Sequence, residues 1–291
     1  MTSGGSQTVK TSDLPEGGFG RTSTVERPAR YTITICKGSS LLNETRLLLG
    51  AWRPGEPLKV FHDRVLQSDL LGKTTARRAE DLLRRVFERR FLQPTDQPAR
   101  MLRRLVGSGP GMIPSVRRIF ADLCLLYSAR LDGLLRDVIT EVYWPAARAG
   151  QLPFGKRDVL VFIDEAEQAG RVASPWSDAV KTKVARGLLR AMAEFGLLSE
   201  PKRSRFEIRP FQPDDGTIVY LAHELHFAGV TDTLLARHPD WQLYGLQPAE
   251  VSAAIDRLTA DGWWIAQSGG GLLRISWKHE TLEEVVDALV G

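Results

Sequence analysis

The fold is decided by the stretch from Thr75 to Leu92, which reads TARRAEDLLRRVFERRFL. Its apolar residues recur every three or four positions, as they do along one face of an α-helix. Thr74 or Thr75 can cap the N-terminus of such a helix, and arginines flank the apolar stripe. The spacing therefore predicts an amphipathic helix over about 75–92 that buries one face and carries positive charge beside it.

The same periodicity runs through most of the chain. It predicts further helices at about 41–52, 57–71, 96–106, 113–128, 130–148, 156–169, 176–195, 218–228, 231–237 and 248–261, and a short helix closes the chain. Alternating apolar residues predict a strand at Arg205–Phe211 and a hairpin formed by Trp263–Gln267 and Leu272–Trp277. Tyr31–Cys36 fits either a short strand or an extended lead-in to the first helix. The expected fold class is mainly α.

Composition and turn signals divide the chain into four segments. Residues 1–30 are rich in Gly, Ser, Thr and Pro and lack an apolar run, so a flexible tail is expected rather than a signal peptide. Residues 31–150 are expected to form a basic helical domain that ends at the linker Gln151–Gly155. A helix-turn-helix-like segment follows over 151–215, and a winged-helix-like acidic module over 216–291.

Charge is segregated along the chain. Between Lys73 and Arg118 there are twelve Lys and Arg residues against four Asp and Glu residues, a net charge of +8. From Glu200 to the end, eight bases face fourteen acids, a net charge of −6. Basic residues clustered on a short run of helices are typical of proteins that bind a nucleic-acid backbone.

The arginines of the basic segment are the first candidate site. Arginine outnumbers lysine eleven to one there, and its guanidinium group binds phosphates in bidentate fashion. The alternative is a solvated face with local ion pairs to Glu80, Asp81 and Glu88, although four acids cannot neutralise twelve bases. The residues expected to contact phosphates are Arg77, Arg78, Arg84, Arg85, Arg89, Arg100, Arg103 and Arg104.

Gly72-Lys73-Thr74 is similar to the end of a nucleotide-binding P-loop, but Gln67 stands where that motif needs its first glycine. A better interpretation is that Thr74 caps the helix that follows. The amides of the first helical turn, together with Lys73 and Arg77, would then hold one phosphate. Lys73 and Thr74 are therefore counted among the candidate nucleic-acid-binding residues.

Residues 156–211 have the order helix, turn, helix and strand that is expected of part of a winged helix. In a helix-turn-helix the second helix enters the major groove. Because basic residues recur on this second helix, we expect Lys181, Lys183 and Arg186 to approach DNA, and Arg190 continues the series. The alternative is an ordinary helix pair whose apolar stripe simply fills a core.

Residues 218–277 give a clearer winged-helix pattern, with three helices and a glycine-tipped hairpin. The helix at the recognition position, Gln247–Asp261, carries only Arg257 among three acids. Acidic side chains on this helix would be repelled by the phosphates of a DNA groove. A role in protein contact or dimerisation is therefore favoured over sequence-specific DNA binding. Trp263 and Trp264 are expected to pack in the core and hairpin rather than to stack on bases.

The sequence disfavours several classes of protein. No apolar run approaches the roughly 20 residues that span a bilayer, so no membrane partner is expected and the cytoplasm is the default location. Cys36 and Cys124 lie in apolar settings and are expected to be buried thiols in a reducing compartment. His223 and His226 have no evident third metal ligand. No catalytic constellation or cofactor motif is apparent, so no enzyme activity, metal or cofactor is expected.

The succession of motifs over roughly Tyr31–Leu198 resembles the BrxA family, a small helical component of BREX phage-exclusion systems. The matching residues are Lys37-Gly38 with Leu41 and Glu44, Thr74-Thr75-Ala76 with Arg77-Arg78, Arg90 ahead of Leu92, Leu123-Cys124-Leu125-Leu126-Tyr127, Asp137-Val138 with Glu141-Val142, Asp158 with Phe162, Thr182-Lys183 and Glu194-Phe195-Gly196-Leu197-Leu198. The resemblance implies a non-enzymatic DNA-binding accessory protein with helical and winged-helix-like parts. Such proteins have also been likened to an antitermination-factor helical bundle that binds RNA. Residues after about 216 have no counterpart in this resemblance.

Together, the residues and the resemblance predict a non-catalytic accessory protein of a BREX-type phage-exclusion system that binds duplex DNA mainly through phosphates. Other phage-exclusion proteins are the expected partners of the acidic C-terminal module. Two alternatives stay open. One is an RNA-binding helical protein of antitermination-factor type, and the other is a protein–protein adaptor whose basic face docks an acidic partner.

Overall fold

The computed structural model of this protein describes residues 1, 31–36, 38, 41–72, 75–107, 112–203, 205–269 and 272–291. Across these residues the protein is mainly α-helical, as the apolar periodicity predicts. The tail predicted at residues 1–30 lies outside the described residues except for Met1.

The N-terminal part is a group of helices around a central one. Its helices are α1 (Leu42–Ala51), α2 (Leu58–Gln67), α3 (Ala76–Leu82), α4 (Gln97–Val106) and α5 (Pro114–Leu131). Helix α3 continues as a π-helix over Leu83–Leu92. Every residue of α5 from Asp122 to Ala129 is buried, as expected of a helix at the centre of a domain.

The middle of the chain contains a helix pair followed by an antiparallel ribbon. Its elements are α6 (Gly133–Asp137), a π-helix (Val138–Tyr143), α7 (Trp144–Arg148), α8 (Lys156–Gln168), α9 (Asp178–Glu194), β1 (Leu198–Lys202) and β2 (Arg205–Ile208). Helices α8 and α9 pack against each other, and β1 pairs with β2. Tyr31 forms a parallel bridge with Val172, so the N-terminal lead-in is anchored on the turn between α8 and α9.

The C-terminal part has the order of elements that the sequence predicts. Its elements are α10 (Asp215–Phe227), α11 (Asp232–Leu235), a 3-10 helix (Pro239–Tyr244), α12 (Pro248–Ala260), β3 (Trp264–Gly269), β4 (Leu272–Trp277) and α13 (Leu282–Val290). Strands β3 and β4 form an antiparallel hairpin in which Trp264 is opposite Trp277. Trp264 is buried, and its indole N–H donates to the carbonyl oxygen of Ile255 at 2.9 Å, which confirms its predicted packing role.

The C-terminal part packs on the N-terminal helices. Helix α10 lies against α5, where the hydroxyl groups of Tyr127 and Tyr220 are 2.6 Å apart, and α13 lies against α4 and α10. Arg130 of α5 adds ion pairs to Glu224 and Asp240 at 2.7 and 2.8 Å. Within the described residues, the buried apolar side chains other than Val86 form one contiguous core. The boundaries between 150 and 151 and between 215 and 216 stay predictions.

Three local features depart from the sequence interpretation or refine it. Strand β1 has no signal in the sequence, because it contains Pro201 among polar residues that are typical of a loop. The π-helix after Leu82 has more residues per turn than an α-helix, so the arginines within it do not continue the register of Arg77 and Arg78. Near the N-terminus, a bridge at Tyr31 is followed by a 3-10 turn over Thr34–Cys36.

Candidate nucleic-acid interface

Most arginines of α3 and the following π-helix are exposed, although Arg78 is half-buried and Arg90 is buried. The cap of α3 is Thr75, the second of the two predicted candidates, and not Thr74; its hydroxyl oxygen accepts the N–H of Arg78 at 3.2 Å. Arg84 and Arg85 form i, i+4 ion pairs with Glu80 and Asp81 at 3.1 and 3.0 Å. Local pairing, the alternative interpretation of this cluster, therefore accounts for two of its members. About 60% of each of these two side chains is exposed, so their guanidinium groups also face solvent.

The neighbouring arginines Arg89 and Arg90 have different environments. Arg89 is exposed, whereas Arg90 is buried and donates to the carbonyl oxygen of Gly38 at 3.0 Å. Burial lowers the pKa of Arg90 to about 10, and the nearby carboxyl group of Asp132 acts in the opposite direction. Arg90 therefore has a structural role in the buried core. Arg89 is exposed and is the member of this pair that can contact a ligand.

Helices α3 and α9 contribute basic side chains to one cleft of about 540 Å³. Arg78 of α3 lines it together with Lys183 and Arg186 of α9. The two candidate sites that are separate in the sequence therefore share a surface in the fold. The remaining lining residues are Ile35, Cys36, Gly38, Lys156, Gly187, Leu189, Arg190, Glu200 and Phe206.

Five basic side chains and one carboxylate line this cleft, which we call the basic cleft. Lys183, Arg186 and Arg190 lie at i, i+3 and i+7, the spacing that places residues on one face of a helix. Lys156, from the first turn of α8, is a member that the sequence does not single out, because α8 carries four acids against two bases. A cleft with this charge suits an anionic ligand.

Cys36 gives the basic cleft a thiol. Its side chain is only partly buried, in contrast to the fully buried thiol that the sequence predicts, because the 3-10 turn brings it to the cleft wall. Cys124 is buried in α5 as predicted, and burial raises its pKa well above the usual range of a thiol.

Lys181 points away from the basic cleft. Its ammonium group lies 2.7 Å from Asp164 and 2.5 Å from Glu167, and hydrogen bonds to these carboxylates raise its pKa. Only 14% of its side chain is exposed, so it ties α9 to α8. Among the bases predicted to approach DNA from α9, Lys183 and Arg186 therefore line the cleft and Lys181 does not.

The arginines of α4 lie on another surface, where they meet the acidic helix α13. Arg100 pairs with Glu283 at 3.3 Å, and also with Asp96 at 3.1 Å on its own helix. Arg104 donates to both carboxylate oxygens of Asp287, at 2.6 and 2.7 Å. Together with Arg103 these residues line a cleft of about 890 Å³. Lys73 and Thr74, the two other predicted phosphate ligands, lie outside the described residues.

The histidines of α10 pack in an aromatic cluster. His223 is buried, its Nδ1 lies 2.9 Å from the carbonyl oxygen of Val219, and the ring of His226 stacks on Trp277. Burial lowers the pKa of His223 to about 4. Over the part of the chain that the structure describes, no group of three or more His, Cys, Asp or Glu side chains could hold a metal ion. No helix among the same residues is long and apolar enough to cross a membrane.

Comparison with solved structures finds a protein of similar fold. A crystal structure of an uncharacterized protein from Magnetospirillum magneticum is similar to this chain with a TM-score of 0.54 and 17% sequence identity. The alignment covers 68% of this chain and 95% of that protein, and at this identity it shows the fold alone. No curated protein matches the chain significantly. The family model BrxA matches residues 29–224, which is more than half of the sequence, and the chain therefore belongs to the BrxA family.

Proposed function

We propose that this protein binds duplex DNA through its backbone phosphates, as a non-catalytic accessory component of a BREX-type phage-defence system. The family supports the defence context. The single observation that carries the DNA proposal is the basic cleft, in which Arg78 meets Lys183 and Arg186. Guanidinium and ammonium groups that converge from separate helices are suited to a polyanionic backbone, because each can take a different phosphate.

The proposed contact surface extends from the basic cleft along the exposed arginines of α3 and its π-helical continuation. It consists of Arg77, Arg78, Arg84, Arg85, Arg89, Lys156, Lys183, Arg186 and Arg190. Arg100, Arg103 and Arg104 are left out of this primary surface, since acidic side chains occupy two of them. Lys181 is left out because it is tied to Asp164 and Glu167.

We propose that α8, α9, β1 and β2 act as a winged-helix-type unit that touches the backbone more than the bases. In a helix-turn-helix the N-terminal half of the second helix reaches base edges. On α9 that half contains Lys183 and Arg186, which line the cleft, but Lys181 is engaged with α8, and the cleft bases continue beyond this half to Arg190. Phosphate contacts fix the position of a protein on DNA without reading sequence, so we expect weak sequence preference.

The C-terminal part is proposed to contact other proteins rather than DNA. The one basic residue of α12, Arg257, donates to both carboxylate oxygens of Asp215, at 2.5 and 2.7 Å. The helix at the recognition position therefore has no basic side chain that is not already paired with a carboxylate. Exposed apolar side chains on this part, Leu234 and Ile265, favour a protein partner, and the family context suggests other defence proteins.

The salt dependence of binding tests the proposed function. Fluorescence anisotropy of a labelled duplex would be measured at several salt concentrations, with structured RNA as a competitor. If about six phosphates are engaged, the logarithm of the association constant should fall with the logarithm of salt at a slope near −5. A slope near zero would contradict phosphate binding. Preferential competition by RNA would instead support the antitermination-like alternative, and stoichiometric capture of a protein without any binding to nucleic acid would support an adaptor.

A further inference from the structure

Helices α4 and α13 carry opposite charges at matched spacing. Arg100 and Arg104 are one helical turn apart on α4, and their partners Glu283 and Asp287 are one turn apart on α13. An i, i+4 step corresponds to a rise of about 6 Å along either helix. Helix α13 therefore presents two successive anionic groups to two successive arginines, as a nucleic-acid backbone would.

These contacts lie at the solvent side of the interface between the two helices. Each arginine has 43% of its side chain exposed, and the exposed fractions of Glu283 and Asp287 are 35% and 61%. Ion pairs that face water contribute little net free energy, because water and salt compete with them. Phosphate oxygens accept the same charge-assisted hydrogen bonds from arginine that these carboxylates accept, and can also bind it in bidentate fashion, so they can displace such carboxylates.

The position of α13 in the chain sets it apart from the family domain. The match to BrxA ends at residue 224, so α13 lies wholly in the additional C-terminal segment, whereas α4 lies inside the match. The cleft of about 890 Å³ beside the ion pairs is open to Arg103, the third arginine of α4. The additional segment thus covers basic side chains that belong to the family domain and leaves room for a ligand next to them.

We infer that Arg100, Arg103 and Arg104 form a second nucleic-acid contact surface, which the carboxylates of α13 occupy in the free protein. Helix α13 acts as an internal substitute for phosphates and lowers the affinity of the protein for DNA. This inference rests on the proposed function, because it assigns a regulatory role to the same ligand chemistry. DNA that extends from the basic cleft onto α4 would have to displace Glu283 and Asp287.

The apolar side of α13 determines how the inference can be tested. Leu282, Val285 and Val286 are buried in the core, so removal of the helix would expose that core and obscure any effect on binding. Glu283 and Asp287 face α4 at its solvent edge, and their replacement by amides keeps the shape of the side chains. The test variant is therefore Glu283→Gln with Asp287→Asn, which removes two negative charges and leaves the packing intact.

A matched control removes two charges from the same part of the protein. Asp261→Asn with Glu280→Gln changes the net charge equally at exposed positions that do not line the α4–α13 cleft. We expect the test variant to bind a labelled duplex about tenfold more tightly than the wild type near 0.1 M salt, with a salt slope steeper by about 2, since two further phosphates are engaged. The control should change affinity by less than about twofold. Adding Arg100→Gln and Arg104→Gln to the test variant should abolish the gain.

Three outcomes of this experiment would overturn the proposed role of α13. An equal gain in the test and control variants would overturn it, because net charge alone would then explain the effect. A steep salt slope in the wild type without any gain in the test variant would overturn the role of α13 while leaving the proposed function intact. Absence of DNA binding in all variants, with unfolding temperatures near that of the wild type, would overturn the proposed function and this inference with it.

Discussion

Arg78 and Arg186 line the same cleft, although one belongs to α3 and the other to α9. Each comes from a stretch of sequence with its own basic pattern and its own buried stripe. The fold turns the charged flanks of these two helices towards each other, so that five basic side chains share one cleft with a single carboxylate, that of Glu200. A common anionic ligand would balance this excess of positive charge, which is the physical basis of the proposed DNA contact.

Modification of Cys36 should report whether the basic cleft is occupied. Cys36 lines the cleft and Cys124 is buried, so a maleimide reagent should modify Cys36 selectively. Duplex DNA at about ten times its Kd should slow this modification by about tenfold, because the cleft is then free in only a small fraction of molecules. The rate is followed by mass spectrometry of the intact protein. Cys36→Ser is the control and should leave the protein unmodified over the same period.

An unchanged rate of modification at saturating DNA would place the DNA elsewhere on the protein. Rapid modification of Cys36→Ser would instead mean that Cys124 is accessible.

Substitutions of Lys181 and Lys183, which lie on the same helix, should distinguish a structural role from a role in DNA binding. Lys183→Met is expected to weaken DNA binding and to make the salt slope shallower by about 1, since one phosphate contact is lost. Lys181→Met is expected to lower the unfolding temperature, because Asp164 and Glu167 lose their shared partner, and to leave the salt slope unchanged. Anisotropy and thermal unfolding are measured on both variants. A shallower slope in Lys181→Met would mean that Lys181 contacts DNA after all.

Substitutions of the neighbouring residues Arg89 and Arg90 should have different effects on the free energy of unfolding. Arg90→Ala should cost about 3 kcal/mol of unfolding free energy, because it leaves a cavity and removes the positive charge near the buried carboxyl group of Asp132. Arg89→Ala should change that free energy by less than about 0.5 kcal/mol, as is usual for an exposed residue. Urea unfolding measures both values. Equal losses in the two variants would show that Arg90 does not stabilise the core.

Acidification should destabilise the protein through His223. Burial holds the pKa of His223 at about 4 in the folded protein, below its value of 6.5 in the unfolded chain. The unfolded state therefore binds the proton more tightly, and stability that is present above pH 6.5 is lost as the pH falls towards 4. Between pH 7 and pH 5 this group alone should remove about 2 kcal/mol of unfolding free energy.

The variant His223→Phe isolates this contribution, because it keeps an aromatic ring but cannot bind a proton. Asp122, whose pKa burial raises to about 6, acts in the opposite sense in the wild type and the variant alike. Urea unfolding of both proteins at the two pH values gives the difference. A loss of equal size in the variant and the wild type would exclude His223 as its source.

Local structure was largely predictable from the sequence, because it depends on periodicities that the chain displays directly. The amphipathic stripe over 75–92 predicts the helix that the structure contains, and the glycine-tipped hairpin is found as β3 and β4. Strand β1 could not be predicted, since Pro201 and its polar neighbours form a strand only because β2 lies beside them. The π-helical turns after Leu82 likewise have no signature in the pattern of apolar residues.

The candidate site was predictable only in its parts. Arg78, Lys183 and Arg186 stand out because they belong to basic helical faces, but their meeting in one cleft depends on how α3 and α9 pack. Lys156 joins them from α8, a helix that carries more acids than bases and therefore does not stand out as basic. The pairing of Arg104 with Asp287 is also invisible in the sequence, because these residues are 183 positions apart. Long-range charge pairing therefore decides that Arg100 and Arg104, two predicted phosphate ligands, are engaged by carboxylates of α13.

Reversing the charge of the basic cleft tests whether this cleft is the surface that binds DNA. Arg78→Glu with Arg186→Glu alters two cleft residues, and Arg237→Glu with Arg274→Glu makes the same change of charge at exposed positions outside the cleft. We expect the cleft variant to bind a labelled duplex at least about 100-fold more weakly near 0.1 M salt, with a slope shallower by about 2, and the control to lose less than about fivefold. Equal losses in the two variants, or wild-type affinity in the cleft variant with its fold intact, would contradict the account.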